Sequence, residues 1–226
     1  MNASTLRRLS GLATIAAGPL CVIGGLLHPV VEGQAHSPAA LATSHTLGSG
    51  ALLAGTVLLL LGLPGVYGRI CARLGVLGLV GYVLYFLGNL LSAVPHLVLM
   101  TFAAGDVAHH HAELVSAHDA VLGVPAFEAE QLVSGFALMI GLLVFGVALV
   151  RSRAVPRWVG WTGVGGGLVM LVPIPATPVV SGLQIELLRA VMVVALGVLA
   201  VRDARASIPG GRVPSQDRLA AAGWSH

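Results

Sequence analysis

The sequence predicts an all-α membrane protein, a polytopic transmembrane helical bundle of about six spans. Its 226 residues are 56% hydrophobic and only 9% charged, and the mean hydropathy is +0.92. Soluble domains carry about 25% charged residues, so this composition excludes an ordinary soluble domain. All twelve basic residues are arginine and none form a basic cluster with interleaved aromatics, so we expect no nucleic-acid partner.

We predict that residues 1–205 form one transmembrane helical domain. It contains six apolar stretches long enough to cross a membrane. Each approaches or exceeds the ~20 residues that a spanning helix needs. They cover about 9–31, 45–67, 74–104, 130–150, 158–178 and 182–201. The first is longer than the 7–15-residue core of a signal peptide, so we interpret it as a retained helix. Residues 206–226 are rich in glycine and proline, and we predict a disordered cytoplasmic tail.

The arginines predict the orientation of these spans. Eleven of the twelve precede the first span, join spans two and three, join spans four and five, or follow span six. The positive-inside rule places that side in the cytoplasm, so both termini should be cytoplasmic in a plasma-membrane protein. Seven of the nine acidic residues and eight of the nine histidines map to the other side. A functional site should therefore open outward.

Two helical stripes of polar and small residues run through otherwise apolar spans. The residues of each stripe recur every three or four positions, so they share one helix face. Polar groups facing lipid are unfavourable, so both stripes should face the inside of the bundle. They could serve helix packing, or they could line an outward-facing cavity. The stripe of span one is Thr14, Gly18, Cys21, Gly25, His28 and Glu32, and that of span three is Tyr82, Tyr85, Asn89, Ser92 and His96.

Ionisable residues inside the spans are candidate site residues. Glu186 and Arg189 lie one turn apart, so they could form an intrahelical ion pair, but intramembrane charges are also functional candidates by default.

In the outer loop, His109 and Glu113 are four apart, as in some metal sites. No second cluster accompanies them, and we favour a solvated loop. Neither a haem attachment motif nor a catalytic motif is present, so we predict no metal or cofactor.

Part of the sequence resembles known proteins. The segment RSRAVPRWVGWTGVGGGLVML, with LLHP at the end of span one, is similar to runs in small multi-span bacterial membrane proteins, mostly uncharacterised. In size, span count and outer-face carboxylates the chain also resembles membrane-bound terpene cyclases. This second resemblance concerns layout alone and carries over no motif residue.

Two functions remain open at this point. The first is an acid-catalysed cyclase or isomerase acting on an isoprenoid or other apolar small molecule, with a carboxylic acid kept protonated by apolar surroundings and aromatic faces near a carbocation. The second is a non-enzymatic carrier, sensor or accessory subunit that binds a proton, metal or partner at the outer face. The oligomeric state is left open. The catalytic candidates are Glu32, Glu130, Glu186, His28 and His96; the substrate-binding candidates are Tyr82, Tyr85, Phe86, Asn89, Arg189 and His45.

Overall fold

The computed structural model describes residues 3–28, 46–111, 125–172 and 179–206, and these are almost entirely helical. No β-strand occurs in these ranges, so the predicted all-α fold is confirmed. The predicted tail, 206–226, lies outside them except for its first residue. The helices are α1 (Ala3–Leu27), α2 (Thr46–Gly88), a π-helical turn (Asn89–Ala93), α3 (Val94–Phe102), α4 (Ala104–His110), α5 (Pro125–Ser152), α6 (Arg157–Val169) and α7 (Val180–Ala206).

Four helical stretches of the described chain are long and apolar enough to cross a membrane. They are Ser4–Leu27, Leu47–Phe102, Ala129–Ser152 and Val180–Ala206. Large apolar side chains point outward from them, as lipid-facing residues do: Leu61 is 68% exposed and Val76 is 78% exposed. The chain is therefore a multi-pass membrane protein. Helix α6, which falls within predicted span 158–178 except for its first residue, has 13 residues and extends only ~20 Å against a hydrocarbon core of ~30 Å.

The 43-residue helix α2 contains a reversal at Gly75. This glycine has φ 61° and ψ −162°, a conformation open mainly to glycine. The rings of Tyr67 and Tyr82 stack with centroids 4.0 Å apart, whereas fifteen residues of straight helix would span ~22 Å. The two arms, 46–74 and 76–88, therefore run antiparallel and correspond to predicted spans two and three. The predicted loop at 68–73 is instead helical, because one glycine suffices for the turn.

Glycines mark the places where neighbouring helices approach closely. A Cβ added at Gly24 of α1 would lie 2.5 Å from the backbone nitrogen of Leu52 in the first arm. Gly81 of the second arm meets α5 at Phe145, and Gly182 of α7 meets the backbone of α1. Small residues let helix backbones come together in this way in membranes. Helix α1 thus packs between the first arm and α7, the second arm packs on α5, and α6 lies between α5 and α7.

Most arginines of the described chain lie at one end of the bundle, which we call the arginine end. Arg69, close to the Gly75 reversal, forms an ion pair with Asp203 near the end of α7. Ser10, just after the two arginines of α1, packs against Gly65 at the same level. Because neighbouring helices alternate in direction, Arg151, Arg153 and Arg157 of the α5–α6 connection also lie at this end. Arg189 is the exception.

Candidate functional site

A cavity of about 490 Å³ lies at the end of the bundle opposite the arginine end. Parts of α1, the outer end of the first arm, the π-helical turn, α3, α5 and α7 surround it. Apolar side chains such as Leu52, Leu97, Leu138, Met170 and Ile185 form much of its wall. Among the described residues, the polar side chains that reach the cavity are His28, Thr56, Ser92, His96, Gln131, Ser181, Gln184, Glu186 and Arg189.

A buried ion pair forms one side of this cavity. Glu186 and Arg189 are only 5% and 3% exposed, and Nη2 of Arg189 donates a hydrogen bond to Oε2 of Glu186. Nη1 of Arg189 donates to Oδ1 of Asn89 at 2.9 Å. Asn89 in turn donates from Nδ2 to the backbone oxygen of Tyr85 at 2.7 Å. The pair is thus held across two helices that are about 100 residues apart in sequence.

The polar stripe of the third predicted span passes through a π-helical turn. Asn89 is completely buried at the first position of this turn, and Pro95, which lacks a backbone N–H, follows it in α3. A proline removes an ordinary helical hydrogen bond, and a wider turn is one way to accommodate that loss. π-turns are frequent at functional sites. Here the turn separates Asn89, which contacts Arg189, from His96 on the cavity wall.

Two glycines make room for the ion pair. A Cβ added at Gly25 of α1 would lie 2.9 Å from Cγ of Glu186, and Gly182 lies directly against the backbone of Gly25. The side chain of Glu186 therefore fits because α1 presents no side chain at this level. Gly25, which belongs to the stripe of α1, thus contributes both to helix packing and to the shape of the cavity.

Two histidines face each other on the cavity wall. The rings of His28 and His96 stack with centroids 5.5 Å apart and planes at 29°. His28 directly follows α1 and His96 lies near the start of α3, so the stack joins the ends of two helices. No group of three His, Cys, Asp or Glu side chains placed to hold a metal ion occurs among residues 3–28, 46–111, 125–172 and 179–206.

The aromatic candidates are not among the residues that line the cavity, although Tyr85 lies close to the Glu186–Arg189 pair. Tyr82 stacks on Tyr67 near the reversal, with Phe86 6.0 Å from it, and Tyr85 packs in the core with its ring centroid 6.4 Å from that of Phe145. Tyr82 and His96 are fourteen residues apart, which is ~21 Å of helix. The expectation that Tyr82 and Tyr85 bound the cavity is therefore corrected, and the substrate-binding candidate Phe86 does not line it either. The stripe faces inward, but only its outer third reaches the cavity.

The other candidates have different positions. Glu130 is half-buried and accepts a hydrogen bond from Nε2 of Gln131 at 2.7 Å, but only Gln131 reaches the cavity. Glu32 and His45 lie outside the described residues. In the outer segment, His109 belongs to α4, whereas Glu113 is not among the described residues.

Some cavity residues were not predicted from the sequence. Gln131 and Gly135 are four apart on α5 and share one face, but a single glutamine and a glycine carry little signal. Gln184 donates from Nε2 to the backbone oxygens of Val169 at 2.8 Å and Val172 at 2.7 Å. It therefore fastens the start of α7 to the end of α6 beside the cavity.

Comparison with known proteins identifies one similarity. Residues 90–201 match a protein family described as a domain of unknown function, DUF4386. The match covers slightly less than half of the chain and includes His96, Gln131, Glu186 and Arg189. No curated protein and no solved structure matches the chain significantly. The similarity agrees with a resemblance to uncharacterised proteins, but it offers nothing in favour of the terpene cyclase resemblance and assigns no activity.

Proposed function

We propose that this membrane protein binds a small, mainly apolar molecule with a polar head in the cavity beside Glu186 and Arg189. Ligand pockets typically have volumes of about 300–1,000 Å³ and apolar walls with a few convergent polar groups. The cavity of about 490 Å³ has these properties. Arg189, the two histidines and Gln131 would position the head, and the leucines and Met170 would enclose the apolar part.

The observation that carries this proposal is the buried ion pair on the cavity wall. Moving two charges out of water is unfavourable, and replacing a buried pair by apolar residues is often neutral or stabilising. Intramembrane charges therefore point to function more than to stability. Arginine has five N–H donors, more than Glu186 and Asn89 together engage in the described hydrogen bonds. A carbonyl, hydroxyl or carboxylate oxygen of the ligand would accept from the remaining donors.

An acid-catalysed cyclase or isomerase is the second candidate, since a carboxyl group and two histidines share an apolar cavity. The geometry supports it less well than binding alone. Glu186 is paired with Arg189, and its Oε2 accepts a hydrogen bond from the guanidinium, so this oxygen is already engaged rather than directed at a substrate. The aromatic side chains expected beside a carbocation are not among the residues that line the cavity. A carrier, sensor or accessory subunit fits these observations better.

We also propose that the arginine end faces the cytoplasm and that the protein resides in the plasma membrane. The positive-inside rule supports this orientation, because the described arginines other than Arg189 share one end. The cavity would then lie toward the outer face of the membrane. A ligand would reach it from the outside or from the outer leaflet.

Filling the cavity tests the binding proposal. Gly135 lines the cavity, and a Cβ added there would meet no atom within 4 Å, so the Cβ of Gly135→Leu fits and the rest of the side chain should reduce the free volume of the cavity. Gly68 is equally open but lies in the first arm away from the cavity, so Gly68→Leu is the matched control. Both changes replace a helical glycine with a good helix former.

The measurement is mass spectrometry of small molecules extracted from the purified protein with organic solvent. We expect a molecule that co-purifies with the unchanged protein and with Gly68→Leu and is lost from Gly135→Leu. The same extract from all three proteins would contradict the proposal. Incubation with an acyclic prenyl alcohol addresses the cyclase candidate: a cyclic product of equal mass that disappears in Glu186→Gln would favour the enzyme.

A further inference from the structure

A second concave surface lies on the outside of the bundle, between α1, α7 and the start of α6. This groove has a volume of about 740 Å³ and shares no lining residue with the cavity. Its walls are apolar along most of its length, with Ile23 from α1 and Leu187 and Val191 from α7. Only its end near Trp158 carries a charged side chain, that of Arg202.

The groove has the length of a lipid acyl chain. It follows α7 from Leu187 to Arg202, and fifteen residues of helix extend over ~22 Å. The hydrocarbon core of one leaflet is ~15 Å thick, half of the ~30 Å bilayer core. An extended chain that begins at the membrane surface near Arg202 would therefore remain in the groove throughout its leaflet.

The chemistry of the two ends matches the two parts of a phospholipid. Arg202 is exposed and lies at the arginine end, where a guanidinium can bind phosphate oxygens with two parallel hydrogen bonds. Trp158 is 54% exposed beside it, and tryptophan is enriched at the headgroup level of membrane proteins. The opposite end of the groove is apolar. This polarity distinguishes the groove from an ordinary lipid-facing helix surface.

The floor of the groove explains why it is concave. Gly18 of α1 packs directly against Val194 and Ala190 of α7, so the two helices approach closely and leave small residues between them. If the groove were empty, the side chains along α1 and α7 would lack dispersion contacts on that side. A hydrocarbon chain lying in the groove supplies these contacts.

We propose that this groove is a binding site for a phospholipid with net negative charge. One acyl chain lies between α1 and α7, the phosphate contacts Arg202, and Trp158 lies beside the glycerol region. A lipid of net negative charge binds more tightly than a zwitterionic one, because its headgroup carries no cation to oppose the arginine. This site is independent of the function proposed for the cavity.

The test uses the full chain purified in detergent, with dioleoyl phosphatidylglycerol or dioleoyl phosphatidylcholine added at equal concentration. Native mass spectrometry counts the retained lipids, and the thermal unfolding midpoint is measured alongside. We expect the unchanged protein to retain phosphatidylglycerol preferentially. Arg202→Gln should lower its affinity for phosphatidylglycerol about fivefold, in line with the contribution of one basic residue at an anionic membrane surface. Arg205→Gln, at the same end but outside the groove, should leave the preference unchanged.

Ala195→Phe adds a side chain inside the groove and should reduce retention of both lipids, whereas Val147→Phe on the exposed face of α5 should not. Glycerol 3-phosphate, which has the phosphate but no chain, should give no shift in unfolding midpoint. Equal retention of both lipids by the unchanged protein would overturn the proposal. So would an equal loss in Arg205→Gln, or a full shift with glycerol 3-phosphate, which would indicate a site for free phosphate.

Discussion

Replacing Glu186 with glutamine should destabilise the bundle, although the substitution barely changes the size of the side chain. Arg189 would keep its charge at 3% exposure without the carboxylate beside it. Breaking a buried ion pair by removing one partner costs about 3–5 kcal/mol, whereas replacing both partners with apolar groups is often neutral. Glu186→Gln and Arg189→Met should each lower the free energy of unfolding by about this amount. The double variant should recover most of the loss.

The measurement is unfolding of the purified protein by increasing sodium dodecyl sulfate in mixed micelles, followed by far-ultraviolet circular dichroism. Asp106→Asn is the control: Asp106 pairs with His110 at 3.7 Å, and its side chain is 83% exposed. An exposed pair contributes little, so this variant should unfold like the unchanged protein. The reasoning is refuted if the two single losses simply add in the double variant, since additivity would mean that the two charges do not interact.

Three further predictions address orientation, packing and the π-turn. A phosphatase that is active only outside the cytoplasm, fused to His226, should give no activity; strong activity would place the C-terminus outside. Gly182→Leu should lower the thermal unfolding midpoint well below that of Gly68→Leu, because its Cβ would collide with the backbone of α1; equal midpoints would argue against this close approach. Asn89→Leu should cost about 1.5–3 kcal/mol, the range for a hydrogen bond to a charged group, in the detergent titration, because it removes the acceptor facing Arg189. A smaller loss than 1 kcal/mol would mean that water replaces the amide.

The helices were predictable because their physical signals are local. A run of apolar residues specifies a membrane helix, and the arginines on alternate connections predict that these connections share an end. The three-and-four spacing of Tyr85, Asn89, Ser92 and His96 also correctly indicated the inward face: Tyr85 and Asn89 are completely buried. These inferences needed only neighbouring residues and helix geometry.

The depth and position of the cavity were not predictable in this way. Asn89 and Arg189 form a hydrogen bond although they are 100 residues apart in the sequence, and no pattern in a single sequence indicates that pairing. The sequence predicts one continuous stripe in the third span, but it does not show that Tyr82 stacks on Tyr67 beside the Gly75 reversal, so it does not report where along the stripe the cavity begins. A glycine-rich connection predicts a turn, but it does not distinguish a loop of several residues from a hairpin that reverses at one residue.

Helix α7 contributes charged residues to both proposed sites, and its geometry keeps them apart. Arg189 and Arg202 are thirteen residues apart, which corresponds to ~20 Å along the helix and a rotation of roughly 220° beyond complete turns. One side chain therefore points into the bundle and the other toward the outside. Effects at positions so far apart, with no shared partner, usually add. Gly135→Leu should thus leave the preference for phosphatidylglycerol unchanged, and Arg202→Gln should leave the extracted cavity ligand unchanged, so failure of either proposal would not affect the other.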